Sequence, residues 1–145
     1  MWCSQLTFLN EGFVLFLVIV VAFIVSQSSK ALLNKPKNFF DLFWHTGGGP
    51  SSHVAPLVAL LTMVFFWEGL TPFFVLVFAL TAIVLRDAVG VRFAEGVNAQ
   101  ILKNHVTKKF KEKVIVARGH TPQDVAWGVA IGFAVATIFL IILGV

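Results

Sequence analysis

Gly47-Gly48-Gly49-Pro50-Ser51-Ser52-His53 is a polar, glycine-rich stretch wedged between long apolar runs. Residues of these types in this order suit an anion. Glycines reach backbone conformations closed to other residues and present bare N–H groups. The apolar run from Val54 implies a helix whose N-terminus faces them, and phosphate is the natural guest of such a cradle. Ser51 and Ser52 add hydroxyl donors, and His53 can trade a proton near neutral pH. The same residues also fit a plain turn, in which Pro50 starts a helix, Ser51 or Ser52 caps it and His53 sits at a membrane edge.

A second histidine heads His120-Thr121-Pro122-Gln123-Asp124. An aspartate bonded to one ring nitrogen fixes the tautomer and leaves the other nitrogen free to attack phosphorus, which makes His120 a candidate nucleophile and Asp124 its orienting partner. The segment equally reads as a helix start, with Thr121 as N-cap, Pro122 at the first helical position and Asp124 closing a carboxylate variant of the capping box. Arg86 offers planar, bidentate donors for phosphate oxygens, or else serves as a cation at a helix C-terminus paired with Asp87. Lys30 fits as a point charge on phosphate or as a snorkelling residue at the end of a span. Gln100, Asn104 and His105 read as the wet side of an amphipathic helix.

The elements that would position these groups are membrane helices. The chain has 145 residues, 58% of them hydrophobic, and a mean hydropathy of +0.89, which defines one integral membrane domain rather than a soluble one. A single Cys3 excludes an internal disulfide, and no Cys/His cluster has metal-ligand spacing. No cofactor is expected. The net charge of +4 comes without any nucleic-acid motif, so anionic lipid head groups are the expected partners.

The expected fold is all-α: a polytopic bundle of about four transmembrane helices plus an interfacial amphipathic helix. The first span covers Gly12 to Val25 and extends from near Leu6 to Lys30; with no Lys or Arg before it, it is expected to be retained rather than cleaved as a signal. Phe39, Phe40, Phe43 and Trp44 read as an interfacial anchor. Val54 to Trp67 and Phe73 to Leu85 form an antiparallel hairpin closed by Glu68-Gly69-Leu70-Thr71-Pro72. Arg86-Asp87 ends the third span, and Phe93, Val97 and Ile101 recur every four residues in the interfacial helix that follows. Five lysines against Glu112 between Lys103 and Lys113 make a basic surface for anionic lipid. Val125 to Val145 is the last span.

All eleven Lys and Arg lie in Lys30 to Lys37 and Arg86 to Arg118, while Glu11 and Glu68 stand alone on the other side. The positive-inside rule then puts both termini outside and both basic segments in the cytoplasm, in a cell membrane of bacterial inner-membrane type. Gly47 to His53, Arg86-Asp87 and Gly119-His120 thus share one face, as an enzyme acting on a head group needs. A transporter is disfavoured, because no polar residues mark a path through the spans and no pair of spans reads as an inverted repeat.

Lys30, Gly-Gly-Gly-Pro-Ser-Ser-His at 47 to 53, Arg86-Asp87-Ala88-Val89-Gly90-Val91-Arg92, and Gly119-His120-Thr121-Pro122 with Asp124 together resemble the divergent type-2 phosphatidic acid phosphatase family, which is related to acid phosphatases and vanadium-dependent haloperoxidases. The resemblance runs from Gln27 to Gly132. In the parent superfamily the first motif brings a phosphate-binding lysine, the second reads Pro-Ser-Gly-His, and the third carries an arginine and a His-x-x-x-Asp nucleophile pair. Lys30, Ser51, Ser52, His53, His120 and Asp124 carry over. Three positions depart from the pattern: Ser52 replaces a glycine, the first motif lacks its Arg-Pro, and Val114 stands where the third-motif arginine should be, leaving Arg86 or Arg118 as substitutes.

The resemblance implies a membrane-embedded phosphatase acting on a lipid phosphate monoester or pyrophosphate through a phosphohistidine. His120 attacks, oriented by Asp124. His53 serves as acid and then base, while Lys30, Ser51 and Ser52 hold the oxygens; the residue types read above add Gly48, Gly49 and Arg86 to that set. The two histidines need opposite protonation states, so His53 is expected to be raised and His120 neutral. The alternative is a catalytically inactive membrane protein that binds phospholipid head groups or a protein partner. Unburied apolar surface leaves room for a homodimer.

Overall fold

The computed structural model describes residues 2–34, 49–106 and 120–144. The aromatic anchor from Phe39 to Trp44, Gly47 and Gly48, the lysines from Lys108 to Lys113, Val114, Arg118 and Gly119 lie outside the described residues.

Hydrocarbon offers backbone groups no partners, so an apolar run must satisfy them internally, and helices do so. The helices are α1 (Trp2–Asn34), α2 (Val54–Glu68), α3 (Pro72–Arg86), α4 (Arg92–His105) and α5 (Pro122–Leu143). A π turn over Asp87–Val91 joins α3 to α4, so Pro72–His105 is one continuous rod. With the rod counted once, the described residues hold four helices and no strand. Three helical stretches, Glu11–Leu33, Pro72–His105 and Pro122–Leu143, are long and apolar enough to cross a membrane. This is an integral membrane protein.

Two expectations need correction. Arg86-Asp87 does not end the third helix: the Asp87 carbonyl accepts from the Arg92 N–H, an i to i+5 bond that carries the chain through where no proline interrupts it. The amphipathic stretch therefore extends the third helix instead of starting a separate one. Second, α2 has only 15 residues, about 22 Å of helix against a hydrocarbon core of roughly 30 Å. It does not meet the length of a span by itself.

That short helix is the most enclosed. α2 buries Val54, Ala55, Pro56, Val58, Ala59, Met63 and Val64 among α1, α3 and α5. One core cluster joins Val18 and Ala22 of α1, Ala59 and Met63 of α2, and Val135, Ala136 and Leu140 of α5. Lipid tails are as apolar as these side chains, so close packing rather than dehydration must hold the helices together. Small residues permit it. Gly128 and Gly132, four apart on α5, lie against the backbone of Ser51 and Ala55: a β-carbon at Gly128 would stand 3.0 Å from the Ser51 carbonyl oxygen, and one at Gly132 would overlap the Ala55 carbonyl oxygen.

Hydroxyls in the helices close on their own backbones. Ser26 donates to the Phe23 carbonyl at 2.8 Å, Thr62 to Val58 at 2.8 Å, Thr81 to Val77 at 2.7 Å and Thr137 to Phe133 at 2.8 Å, which removes the desolvation cost of a bare hydroxyl. The α2–α3 hairpin forms as its turn residues dictate: Gly69 takes a φ of 71° that other residues resist, and Thr71 caps α3 by accepting from Phe74 N–H at 3.2 Å, with Pro72 at the first helical position.

Candidate functional site

The end of the bundle opposite the hairpin gathers residues from three segments. From α1 comes Lys30, one turn short of the helix end and only 5% exposed. Its alkyl stem runs along the loop before α2: a β-carbon on Gly49 would stand 3.1 Å from Lys30 Cγ. A glycine is therefore required if lysine and loop are to touch this closely.

The loop enters α2 through Ser51, Ser52 and His53. The Ser51 carbonyl accepts from Ala55 N–H at 3.1 Å, so the first helical turn begins at Ser51. Its hydroxyl nevertheless caps nothing. Ser51 is 1% exposed, and Oγ has no hydrogen-bond partner among the described residues. Ser52 is buried as well, and His53 stands accessible at the rim. Ser51 N–H is committed elsewhere, donating to the Asp124 carbonyl at 3.2 Å, so it is not among the loop amides open to an anion.

The third segment is His120 and the start of α5. Thr121 N–H donates to Asp124 Oδ2 at 2.9 Å and Asp124 N–H to Thr121 Oγ1 at 3.2 Å, a reciprocal box that satisfies two otherwise orphaned amides. The box fixes His120, the residue before the cap, which is 6% exposed with Nδ1 unpartnered among the described residues. The Asp124 carboxylate is thus held by the cap, and no hydrogen bond joins it to His120; its influence on the ring is electrostatic.

The groups of the three segments act on one another electrostatically. Burial, and after it the Lys30 ammonium, pushes the His120 pKa below the ordinary value of 6.5; Asp124 and the Gly49 carbonyl oppose this, and His53 adds to it. His120 is accordingly neutral near pH 7, as a nucleophile must be. His53 is also lowered, first by partial burial and then by the charges of Arg92 and Lys30. The expectation of a raised His53 is not met, because burial, and after it two cations, disfavour the charged ring.

Arg92, the last residue of the motif at 86 to 92, is not among the expected site residues, yet its charge acts on His53. The expected guanidinium, Arg86, is exposed and acts on neither histidine. Asp87 pairs instead with Arg92, Nε to Oδ2 at 2.6 Å. The π turn packs where this matters: Ala88 is buried with Val54, Val58 and Val125, beside the first turns of α2 and α5. Lys30, Gly49, Ser51, Ser52, His53, His120 and Asp124 thus come together, Arg86 does not join them, and Gly48 lies outside the described residues.

Fold and site define a helical membrane protein with a lysine, two serines and two histidines drawn together at one end of its bundle. A model of the divergent PAP2 family matches residues 12–135, and the chain belongs to that family. No curated protein and no solved structure matches it.

Proposed function

We propose that the chain is a membrane-embedded phosphatase that hydrolyses a lipid phosphate monoester or pyrophosphate at the cytoplasmic face, both termini lying outside. One observation carries the reading: Ser51 Oγ and His120 Nδ1, both more than nine-tenths buried, lack partners in the same end of the bundle as Lys30. A buried polar group left unsatisfied costs about 1–3 kcal/mol, and two of them in one cluster mark a place built for a ligand. Family membership supports the same chemistry. The confinement of all eleven Lys and Arg to two segments supports the orientation.

In this reading a ring nitrogen of neutral His120 attacks phosphorus, and the bond to the lipid oxygen breaks as His53 gives that oxygen a proton. His53 then takes a proton from water, the water oxygen attacks the phosphohistidine, and the P–N bond breaks to release phosphate and restore His120. Lys30, the serines and the loop amides hold the non-bridging oxygens. Asp124 stabilises the positive charge that His120 gains. His53 must be protonated at the start, and a phosphate dianion supplies the negative charge that offsets Arg92 and Lys30.

A second reading rests on the Asp124 carboxylate being held by Thr121 N–H: a protein that binds phosphorylated head groups without turnover. Phosphate release by the purified protein in detergent, against a panel of lipid phosphates and beside His53→Ala and His120→Ala, decides between them. Release that both substitutions abolish is expected. No release from any lipid by the folded protein, with phosphate still bound, favours the binding protein.

A further inference from the structure

The geometry points to Arg92, aimed by Asp87 across the π turn, as the guanidinium that grips the phosphate oxygens on the His53 side of the site. The assignment rests on the phosphate-binding reading above and extends it to a residue outside the expected set.

Three observations converge. In an ordinary α-helix, residues five apart point about 140° away from one another, and Asp87 could not meet Arg92. The wider π turn narrows that offset. It brings the Arg92 N–H to the Asp87 carbonyl and Arg92 Nε to Asp87 Oδ2 at 2.6 Å. π turns are commonly found at functional sites, and here the turn re-aims one side chain.

The direction of that aim follows from packing. Ala88 is buried against Val54 and Val125, the residues next to His53 and one after Asp124. Arg92 follows Ala88 by about one turn, on the side of the rod that faces α2 and α5. Its positive charge acts on His53 from there.

The third observation is which donors are used. Asp87 takes Nε–H, and no hydrogen bond from either terminal nitrogen of Arg92 joins it to the described residues. The side chain is about half exposed. A guanidinium has five N–H donors in a planar fork, so Asp87 fixes the stem while four donors stay open for a tetrahedral anion. Asp87 is then a positioning residue, and Arg92 the one that touches substrate.

The test uses the full-length protein in detergent and two probes: inorganic phosphate, by calorimetry, and release of phosphate from whichever lipid phosphate the wild type hydrolyses. Arg92→Gln is expected to weaken phosphate binding at least tenfold and lower kcat/KM about a hundredfold. Arg92→Lys, which keeps the charge but loses the fork, should recover less than a third of the lost affinity. Asp87→Asn should weaken binding in the wild type and change nothing further in Arg92→Gln, the signature of acting through Arg92. Thermal midpoints without phosphate serve as the folding control, and Arg92→Lys carries the test where Arg92→Gln does not fold. Phosphate affinity within twofold of wild type in Arg92→Gln, or full recovery in Arg92→Lys, overturns the assignment. Calorimetry keeps this outcome separate from failure of the phosphatase reading: a protein without turnover still shows whether Arg92 holds phosphate.

Discussion

The amide N–H of Ser51 donates to the carbonyl oxygen of Asp124 at 3.2 Å, and that bond sets the register between the glycine-bearing loop and the segment that carries His120. Beneath it, Gly128 brings α5 against Ser51, and Gly132 brings it against Ala55. Site geometry is thus inherited from helix packing: α5 must approach α2 closely before Ser51 and His120 can share one anion.

Gly132→Ala should therefore damage both stability and site. Its β-carbon overlaps the backbone of Ala55, which cannot move aside as a flexible side chain could, and overpacking of this kind costs about 1–3 kcal/mol. Gly12→Ala is the control, since a β-carbon there meets nothing within 4 Å. Thermal unfolding in detergent should show a clear drop for the first and none for the second. Equal midpoints would mean that the close α2–α5 contact does not hold the bundle.

Gly49→Ala tests a different kind of contact. Its β-carbon would press on Lys30 Cγ at 3.1 Å and on Lys30 Cα and Cβ at 3.3 Å, so the loop and the lysine must part by a few tenths of an ångström. Little loss of stability is expected, but Lys30 is moved from its place along the loop. Phosphate affinity measured by calorimetry should fall severalfold while the thermal midpoint stays within a degree or two. An unchanged affinity would count against Lys30 as a phosphate ligand.

The sequence made some of this legible and hid the rest for identifiable reasons. The hairpin turn at Gly69 and Thr71, and the Thr121–Asp124 box, were readable because capping chemistry is local and each residue type has one main use there. The paired glycines Gly128 and Gly132 carried the spacing of a close helix contact and went unread, although the motif stands in an apolar run. Arg92 could not be found by spacing. An aspartate and an arginine five apart face different ways on an α-helix, and the charged pair Arg86-Asp87 imitates the end of a span. Only the π turn makes them neighbours, and its one buried residue, Ala88, packs with Val54, Val58 and Val125.

Asp124 has two candidate duties, and a pair of substitutions separates them. Thr121→Ala removes the cap, worth about 1 kcal/mol, and leaves the carboxylate charge near His120. Asp124→Asn keeps an oxygen able to accept from Thr121 N–H and removes the charge. If Asp124 supports the His120 cation, Asp124→Asn should lower kcat at least tenfold at nearly wild-type stability, while Thr121→Ala should lose stability with a smaller loss of rate. Similar rates in the two variants would reduce Asp124 to a cap.

Acid should loosen the fold through the same histidines. Both have folded-state pKa values lowered from 6.5 by burial and by neighbouring cations, so the unfolded chain binds more protons than the folded one between those lowered values and 6.5. Stability then rises with pH across that window and falls as the pH drops through it. The thermal midpoint should be level above pH 7 and decline below about 6.5, the unfolded histidine value. His120→Gln should show a shallower decline, since it removes the more buried of the two groups. Phosphate should oppose the decline in the wild type, because a bound dianion favours protonated His53 and binds the folded state alone. A midpoint that rises as the pH falls from 7 to 5.5, or a decline of equal slope in His120→Gln, would show that these two rings are not held neutral by their surroundings.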